Sequence, residues 1–502
     1  MTQQHQPEAP EPLAKKRKLE TAEDATDNKG AQTIPMYPAR EKENPNLYLE
    51  TVHRELLEPD AARLCSVTLA DTNVYACLSC GEYLQGRGKA TPAYAHSLDT
   101  DHRLFLRTTD SVIYVLPEGS LCKSLLLHDI KQAYNPFYSQ TDLNGLDTLE
   151  LHETRPGIYH GPGLIPIHKL GRDGALNAIF HALSHVRILR SKLLQLPNDR
   201  DYYAGLPPLL QELSLLFRKL WRRGLRNHVS AVQAAARMSH TSLGVFAQEK
   251  KLVPALVLAF LLDTLHRQLG GSRTKPAPIS MDTADEKIEL PRCAKHTIIS
   301  TGMQGVLLIQ TQKIQELTDA QAPQLRFRDD PNAEATLVPY KILALTLPPI
   351  PVFAGGDPGA VSAQLCVTLT TLLERYSGNQ FEQLGNTRRR YKLLFLPEKT
   401  LIFSIQRTVE GEAHRNRVIV QLPITIDMSP LLVKPQGPAL FDLFTVIMQD
   451  PLTDDWFAYT KRMVGTQARW FKVCAGMEAR QVPASELFVG EANIAFYERQ
   501  TS

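Results

Sequence analysis

Four residues in the first part of the chain have the types and the spacing of a metal site. Cys77 and Cys80 are separated by two residues, and His96 and His102 follow with five residues between them. Two thiolates and two imidazoles form a closed tetrahedral shell around zinc, which is typical of a structural rather than a catalytic ion. The alternative is a pair of buried thiols beside two surface histidines. The pattern favours one structural zinc ion bound by these four side chains.

The other cysteines have no such spacing. Cys65 has no nearby partner, so we interpret it as a buried thiol, and we expect the isolated Cys122, Cys293 and Cys366 in the core. Seven cysteines in 502 residues form an odd and thinly spread set. This usage is typical of a reducing compartment, where metal binding or buried thiols are more common than disulfides.

The composition is that of an ordinary globular protein, with 43% hydrophobic and 22% charged residues. Lysine and arginine total 56 against 53 acidic residues, a formal net charge of +3, which argues against a general nucleic-acid-coating protein. No stretch of about 18 apolar residues is present, so we expect no membrane span. The polar N-terminal residues do not resemble a secretory signal.

Residues 1–42 are rich in Gln, Glu, Pro, Thr and Lys and nearly lack aromatic residues, which predicts a disordered tail. Within this tail lies the basic run Lys15-Lys16-Arg17-Lys18. Such a run is a candidate nuclear-import signal, and the alternative is a solvated charge run. We therefore expect a nuclear location.

The predicted secondary structure that must position these side chains changes from helices to strands along the chain. Between residues 164 and 270 apolar residues recur at helical spacing, as in Leu176, Ile179, Phe180 and Leu183. From about residue 287 the pattern predicts strands. Helices followed by an extended sheet indicate an α+β domain. The strand candidates are Val306–Ile309, Ile342–Leu347, Tyr391–Leu396, Thr400–Ile405, Val418–Leu422, Phe441–Met448, Trp456–Thr460, Trp470–Val473 and Ile494–Tyr497.

The residues around the predicted zinc site also carry a family resemblance. The stretches concerned are Leu64-Cys65-Ser66-Val67, Asn73-Val74-Tyr75-Ala76-Cys77, Gln85-Gly86-Arg87-Gly88 and Ala93-Tyr94-Ala95-His96-Ser97. Together they closely resemble the ubiquitin-protease-type zinc finger of the spliceosomal ubiquitin-specific-protease homologues associated with the U4/U6.U5 tri-snRNP. The later part of the chain resembles a ubiquitin-specific-protease domain more weakly, with its motifs in the right order.

The resemblance implies a domain organisation and a fold. We expect the disordered tail at 1–42, a zinc finger at 44–120, a linker punctuated by Asn, Gly and Pro at 121–160, and a ubiquitin-specific-protease-like domain at 161–500. The implied fold class is α+β: a small zinc-stapled finger followed by a papain-like domain, with a helical thumb and antiparallel-sheet fingers and palm.

The finger departs from the family pattern near the zinc site. Relatives tend to carry a Cys where this chain has Asn46, which leaves Cys65 without its partner, so we expect a single zinc ion.

The residues that would bind ubiquitin differ as well. Fingers of this type that bind the C-terminal tail of ubiquitin use an Arg directly after the Cys-Gly pair of the zinc knuckle, which is the turn Cys77–Cys80 with Gly81 in this chain. They also use two aromatic residues in a late strand. Here Glu82 follows the knuckle, Tyr114 provides one aromatic residue and Leu116 replaces the other. Because an acidic side chain repels a carboxylate tail, we expect ubiquitin binding to be lost.

The resemblance also implies the loss of the protease chemistry. A cysteine protease needs a thiolate, a His to generate it and a third group that orients the His. By resemblance, Gly174 is at the nucleophile position, Asp455 at the His position and Cys474 at the position of the orienting Asp or Asn, while Lys169 replaces the oxyanion-stabilising Asn. We therefore expect no catalytic residues, and hence a pseudo-deubiquitinase. The alternative is a relocated nucleophile, with Cys474 served by His168 or His414.

Two basic stretches are weaker signals. One is Arg388-Arg389-Arg390 with Lys392; the other flanks Trp221 and comprises Arg218, Lys219, Arg222, Arg223 and Arg226. Either stretch is compatible with RNA phosphate, with an acidic protein face, or with a merely solvated surface.

Three functions remain in view. The resemblance implies a non-catalytic nuclear scaffold in pre-mRNA splicing that helps assemble or stabilise the U4/U6.U5 tri-snRNP by protein–protein contacts. Its implied partners are U5 snRNP proteins, namely the large RNA helicase, the GTPase and the scaffold protein, with direct snRNA contact left open. The alternatives are a non-catalytic ubiquitin-binding adaptor and an active deubiquitinase.

Overall fold

The computed structural model describes residues 48–172, 174–196, 205–222, 228–247, 251–279, 295–313, 334–348, 366–384, 387–408, 415–434 and 437–500. The chain divides into one unit at Met1–Pro45 and a second at Asn46–Ser502. The predicted tail at 1–42 lies outside the described residues, and so do Arg223, Arg226, Cys293 and His414.

Helices of the described residues lie mainly before residue 270, as the sequence predicts. None of them is long and apolar enough to cross a lipid bilayer. They are α1 Pro92–Asp99, α2 His128–Tyr134, α3 Gln140–Asn144, α4 Ala175–His185, α5 Arg187–Leu194, α6 Pro208–Leu220, α7 Val232–Thr241, α8 Pro254–Gln268, α9 Ile298–Gly302 and α10 Leu369–Leu373. Short 3₁₀ turns are Leu49–Thr51, Arg54–Leu56, Leu125–Leu127, Leu146–Thr148, Glu374–Tyr376, Ser429–Leu431 and Ala484–Phe488.

Strands dominate the rest of the described chain, and each of the predicted strands overlaps an observed one. Five agree within two residues, whereas the observed strands that begin at Gly305, Thr387, Trp456 and Gln467 extend three or four residues beyond the predicted bounds. They are β1 Val74–Cys77, β2 Tyr83–Gln85, β3 Leu104–Arg107, β4 Ile113–Val115, β5 Ser120–Cys122, β6 His152–Arg155, β7 Ile158–His160, β8 Ala277–Ile279, β9 Gly305–Lys313, β10 Glu334–Tyr340, β11 Leu343–Thr346, β12 Cys366–Thr368, β13 Ser377–Leu384, β14 Thr387–Phe395, β15 Thr400–Gln406, β16 Ile419–Gln421, β17 Thr425–Asp427, β18 Leu440–Gln449, β19 Trp456–Val464, β20 Gln467–Cys474, β21 Ala479–Val482 and β22 Ala492–Arg499.

The finger is built on an antiparallel sheet with the strand order β2-β1-β3-β4-β5. Successive side chains of a strand point to opposite faces. In β1, Val74 and Ala76 belong to one apolar cluster and Tyr75 and Cys77 to another. Both faces of this strand are therefore covered, and all four of its residues are buried.

The segment at 121–160 differs from the predicted linker. It contains α2 and α3, and Ile130 and Tyr134 of α2 join the apolar cluster of the finger. Its hairpin β6–β7 is antiparallel, and β7 pairs with β21 of the large sheet. Some of its apolar residues, among them Ile130, Tyr134, Leu143 and Leu146, are buried and hold the segment against the rest of the fold.

The second half of the fold packs helices against sheets, which confirms the predicted α+β class. Every residue of α4 is buried, and this helix lies against β18 and β19. The largest sheet has the order β11-β15-β22-β18-β19-β20-β21-β7-β6, with β17 added beside β18. A second sheet has the order β13-β14-β9-β10-β8, and β12 pairs with β16.

Charged contacts connect the finger to the helical region. The ammonium of Lys219 on α6 lies 3.2 Å from a carboxylate oxygen of Asp60 and also donates to the carbonyl of Pro59. Arg237 on α7 pairs with Asp71 at 2.8 Å. The Lys219 side chain is almost fully buried, so this contact is part of the packed interior rather than a surface ion pair.

Candidate metal centre and cleft

The four predicted zinc ligands come together at one end of the finger sheet. Cys77 is the last residue of β1, Cys80 follows in the turn, His96 lies in α1 and His102 follows that helix. Their ligand atoms all lie within 4.8 Å of one another. The Sγ of Cys77 is 3.5 Å from Nδ1 of His102, the Sγ of Cys80 is 3.5 Å from Nε2 of His96, and the two ring nitrogens are 3.0 Å apart.

These separations suit one zinc ion. Zinc bonds of about 2.3 Å to sulfur and about 2.0 Å to nitrogen give a tetrahedron whose edges are about 3.3–3.8 Å. A Cys₂His₂ set leaves no coordination position for a substrate, so the ion would be structural.

The knuckle depends on a residue without a side chain. Gly81 has φ +80°, and an added Cβ would lie 2.1 Å from the carbonyl oxygen of Leu56. Its amide donates to the carbonyl of Cys77, while the amide of Cys77 donates to the carbonyl of Glu82. These bonds close the turn that brings the two thiols together.

Glu82 has a contact that sequence reasoning missed. One of its carboxylate oxygens lies 3.6 Å from Nδ1 of His96, and the other accepts a hydrogen bond of 2.8 Å from the hydroxyl of Ser66. The opposite nitrogen of His96 faces Cys80. A carboxylate behind a zinc-ligating His orients the ring and fixes its tautomer. The distance along the chain from residue 82 to residue 96 left no sequence signal for this pairing.

Cys65 is buried and lies outside the four-residue cluster, as predicted. Its sulfur accepts hydrogen bonds from the backbone amides of Gln85 and Thr68. Cys122 is buried as predicted, whereas the prediction for Cys366 is wrong, because this residue is exposed at the start of the short strand β12.

The late strand of the finger offers no open aromatic surface. Tyr114 is buried, and the guanidinium of Arg87 lies over its ring, 4.4 Å from the centroid. Leu116, which stands at the position of the second aromatic residue, is fully buried.

Gly174, Asp455 and Cys474 are the three positions at which the sequence predicts lost catalytic groups. They lie close together in residues 161–500, the hydrolase-like domain. Gly174 precedes the first turn of α4, and an added Cβ would lie 3.1 Å from Cβ of Ala475 and 3.5 Å from the carbonyl oxygen of Trp456. Ala475 follows Cys474, and Trp456 follows Asp455. The N-terminus of α4 therefore meets the end of β20 and the start of β19.

An ion pair joins two of the altered positions. The ammonium of Lys169 lies 2.8 Å from both carboxylate oxygens of Asp455, and both side chains are partly exposed. A paired carboxylate cannot replace the neutral imidazole that removes a proton from a thiol. Gly174 supplies no nucleophile at the helix terminus.

The loop that carries Lys169 is nevertheless held firmly. Asn177 is buried, and its amide donates to the carbonyls of Ile167 and His168 at 3.0 and 2.7 Å. Its side-chain oxygen accepts a bond of 2.9 Å from the amide of Leu170. These three bonds fix the loop against the first turns of α4.

Cys474 does not have the surroundings of a relocated nucleophile. Burial raises the pKa of its thiol, which favours the unreactive protonated form. Within the described residues, Cys474 has no hydrogen bond to a histidine, and the ring of His168 packs instead against that of His228, with a centroid distance of 3.8 Å and an interplanar angle of 58°.

The basic stretch around Trp221 does not form a surface patch at its described core. Arg218 and Lys219 are buried, and Trp221 is fully buried. The prediction of a phosphate-binding or solvated face is therefore wrong for these residues. In the second basic stretch, Arg388-Arg389-Arg390 of β14, Arg389 is exposed, and Arg388 and Arg390 are partly buried.

Comparisons with known proteins agree with this architecture. Residues 64–126 match the family of zinc fingers in ubiquitin-hydrolases and other proteins, and residues 167–474 match the ubiquitin carboxyl-terminal hydrolase family. The chain is 29% identical over 510 residues to "Probable mRNA-splicing protein ubp10" of Schizosaccharomyces pombe, covering 97% of this chain and 95% of that protein.

Two further comparisons place the chain beside other proteins of this architecture. Ubiquitin carboxyl-terminal hydrolase 39 of Homo sapiens is 29% identical over 394 residues, which are 75% of this chain and 66% of that protein. A crystal structure described as that of an essential yeast splicing factor has a TM-score of 0.65 and 22% identity, covering 90% of this chain and 100% of that chain. The last similarity shows a shared fold.

Proposed function

Because the chain belongs to the ubiquitin carboxyl-terminal hydrolase family but has Gly174 and a Lys169–Asp455 ion pair in the cleft, we propose that it is a non-catalytic factor of pre-mRNA splicing. The ion pair is the main observation that supports the proposed loss of catalysis, since it occupies the position at which an active enzyme needs a free imidazole. The names of the Schizosaccharomyces pombe relative and of the yeast structure support the splicing role.

Within splicing, the proposed role is that of a nuclear scaffold that helps assemble or stabilise the U4/U6.U5 tri-snRNP. The zinc finger would hold its structural ion with Cys77, Cys80, His96 and His102, and both the finger and the hydrolase-like domain would present protein-binding surfaces. The proposed partners are U5 snRNP proteins: the large RNA helicase, the GTPase and the scaffold protein.

A pull-down from nuclear extract tests the splicing role. The tagged full-length protein should recover U4, U5 and U6 RNAs together in one sedimenting complex. A Cys77→Ser variant, which loses a proposed zinc ligand, should recover less of them, whereas Cys65→Ser serves as the matched control. Recovery of ubiquitin conjugates without these RNAs would instead support the ubiquitin-binding adaptor.

An activity assay tests the proposed loss of catalysis separately. The purified protein should not cleave a ubiquitin-linked fluorogenic substrate. Turnover that disappears in Cys474→Ala would contradict the proposal and identify a relocated nucleophile. A titration of the full-length protein with ubiquitin should show no binding tighter than about 100 µM, or roughly 5 kcal/mol, because Tyr114 and Leu116 are buried.

A further inference from the structure

A second, charged cavity lies away from the cleft, between α5 and strands β18, β19 and β22. Its volume is about 410 Å³, which is within the range of small-ligand sites. The charged residues that line it come from separate elements, so the fold gathers them in one place. They are Asp147, Arg187, Arg190, Asp442, Lys461, Arg462, Glu498 and Arg499.

Two of these side chains are buried arginines that share one carboxylate. Arg190 and Arg462 are each 3% exposed. Their guanidinium groups approach Asp147 at 2.9 and 3.4 Å and lie 4.0 and 4.5 Å from the ring centroid of Trp221. The Nε of each arginine has no hydrogen-bond partner in the part of the chain that the structure describes. Buried donors are normally satisfied, so these two arginines leave the wall of the cavity with more donors than acceptors.

The charges around the cavity do not balance. Five cationic side chains line it against three carboxylates, an excess of two positive charges. Arg187 already interacts with both Asp147 and Glu498. Among the described residues, Lys461 and Arg499 have no carboxylate partner, and neither is fully buried. Burial lowers the pKa of Arg462 to about 10, which shows that its charge is poorly compensated.

Two other ionisable groups at the cavity bear on anion binding. His185 also lines the cavity, and burial lowers its pKa to about 3, so its ring is neutral at physiological pH. Its Nδ1 donates to the carbonyl of His181, which leaves Nε2 as an acceptor, so the ring neither adds positive charge nor donates to an anion. Burial raises the pKa of Glu498, so this carboxylate competes less with an incoming anion than Asp147, which pairs with Arg187, Arg190 and Arg462.

We propose that this cavity binds a phosphoryl dianion, either as free phosphate or as the phosphate of a phosphorylated side chain. Guanidinium groups present several donors in a fixed plane and pair well with phosphoryl oxygens. The excess of two positive charges matches the charge of one such group near neutral pH. A compact cavity in which Phe444 is the aromatic lining residue does not provide the successive stacking surfaces that single-stranded RNA uses.

Calorimetric titration of the full-length protein at low ionic strength tests the proposal, with inorganic phosphate and N-acetyl-O-phosphoserine amide as probes. Both probes should bind to a single site. Lys461→Gln and Arg499→Gln should each weaken binding roughly tenfold, since each removes a charge-assisted contact. Lys192→Gln is the matched control, because Lys192 is exposed on α5 and does not line the cavity.

A variant that is expected to strengthen phosphate binding, instead of weakening it, makes the test stricter. Asp442→Asn removes a carboxylate from the cavity wall and should tighten the binding of both probes, which a merely structural role would not produce. Binding of phosphate alone would assign the site to the free ion, and binding of phosphoserine at least as tight would assign it to a phosphorylated protein. No binding, equal affinity in Lys192→Gln and Arg499→Gln, or binding of single-stranded RNA without phosphate binding would overturn the proposal.

Discussion

The chemistry of the cleft depends on the backbone of one residue, Gly174, and on the side chains of two others, Lys169 and Asp455. Gly174 has φ +67°, a left-handed conformation that residues with a Cβ rarely adopt, and an added Cβ would contact Ala475. The resemblance implies that this is the nucleophile position, and the backbone here leaves little room for a side chain. Lys169 and Asp455 neutralise each other, and the proposed loss of catalysis depends on Asp455 standing at the position of the catalytic His.

Asn177 and Lys169 allow a comparison of two polar residues in the same loop region. Asn177→Ala should lower the free energy of unfolding by about 2–3 kcal/mol, because it leaves buried backbone groups without partners. Lys169→Ala should change it by less than about 1 kcal/mol, since both partners of its ion pair are partly exposed. Urea unfolding of the two variants checks this, and equal effects would contradict the assigned roles.

The two sulfur positions of the finger give a second residue-level test. Cys77→Ser should reduce bound zinc from one ion per chain to nearly none and unfold the finger, because structural zinc contributes directly to folding. Cys65→Ser should keep the ion, since Cys65 lies outside the cluster. Zinc content by mass spectrometry of the native protein is the measurement. Loss of zinc in Cys65→Ser would mean that the ligand set is wrong.

Sequence reasoning found residues that form a known spacing pattern and missed pairings that only the folded chain creates, whether within the finger, as for Glu82 and His96, or across the chain. The zinc ligands lie within 26 residues, so their spacing alone predicts the cluster. Lys169 and Asp455 are 286 residues apart, and only the folded chain reveals their ion pair. Arg218 and Lys219 were assigned to a surface because their charges are visible in the sequence, whereas their burial is not.

At the scale of elements, strands were easier to predict than the segments between them. Strands such as β15 and β18 are rich in apolar residues, and most of their residues are buried. The sequence predicts a linker at 121–160 because Asn, Gly and Pro residues punctuate this segment. Its helix α2 is stabilised by contacts with the finger, a tertiary effect that local sequence does not show.

The contact between α6 and the finger should depend on pH. Burial lowers the pKa of Lys219 to about 8, below its ordinary value of 10.5. Between these values the unfolded chain binds more protons than the folded chain, so the free energy of unfolding should rise with pH. The expected gain is of the order of 2 kcal/mol.

Urea unfolding between pH 7.5 and 10 measures this effect when wild type is compared with Lys219→Met. The variant should lack the rise, whereas Lys192→Met, at an exposed position of α5, should keep it. Parallel curves for wild type and Lys219→Met would show that Lys219 does not titrate in this range.

At the scale of the whole molecule, the finger and the hydrolase-like domain share structural elements. Helix α2 packs into the finger, while the hairpin β6–β7 that follows it extends the large sheet. Lys219 and Arg237 add contacts from the helical region to the finger. Residues 46–502 also form one compact unit by their contacts. These connections predict that the two regions unfold together.

Removing zinc should therefore lower the stability of the entire described unit rather than of the finger alone. In differential scanning calorimetry, wild type with zinc should show one main transition, and Cys77→Ser should show that transition at a lower temperature and with a smaller enthalpy. The physical reason is that loss of the finger exposes apolar residues of α2 and leaves buried Lys219 without Asp60, a partner whose loss is costly in an interior. Two independent transitions, with the larger one unchanged by Cys77→Ser, would show that the finger is a separate domain and that the boundary near residue 120 divides two folding units.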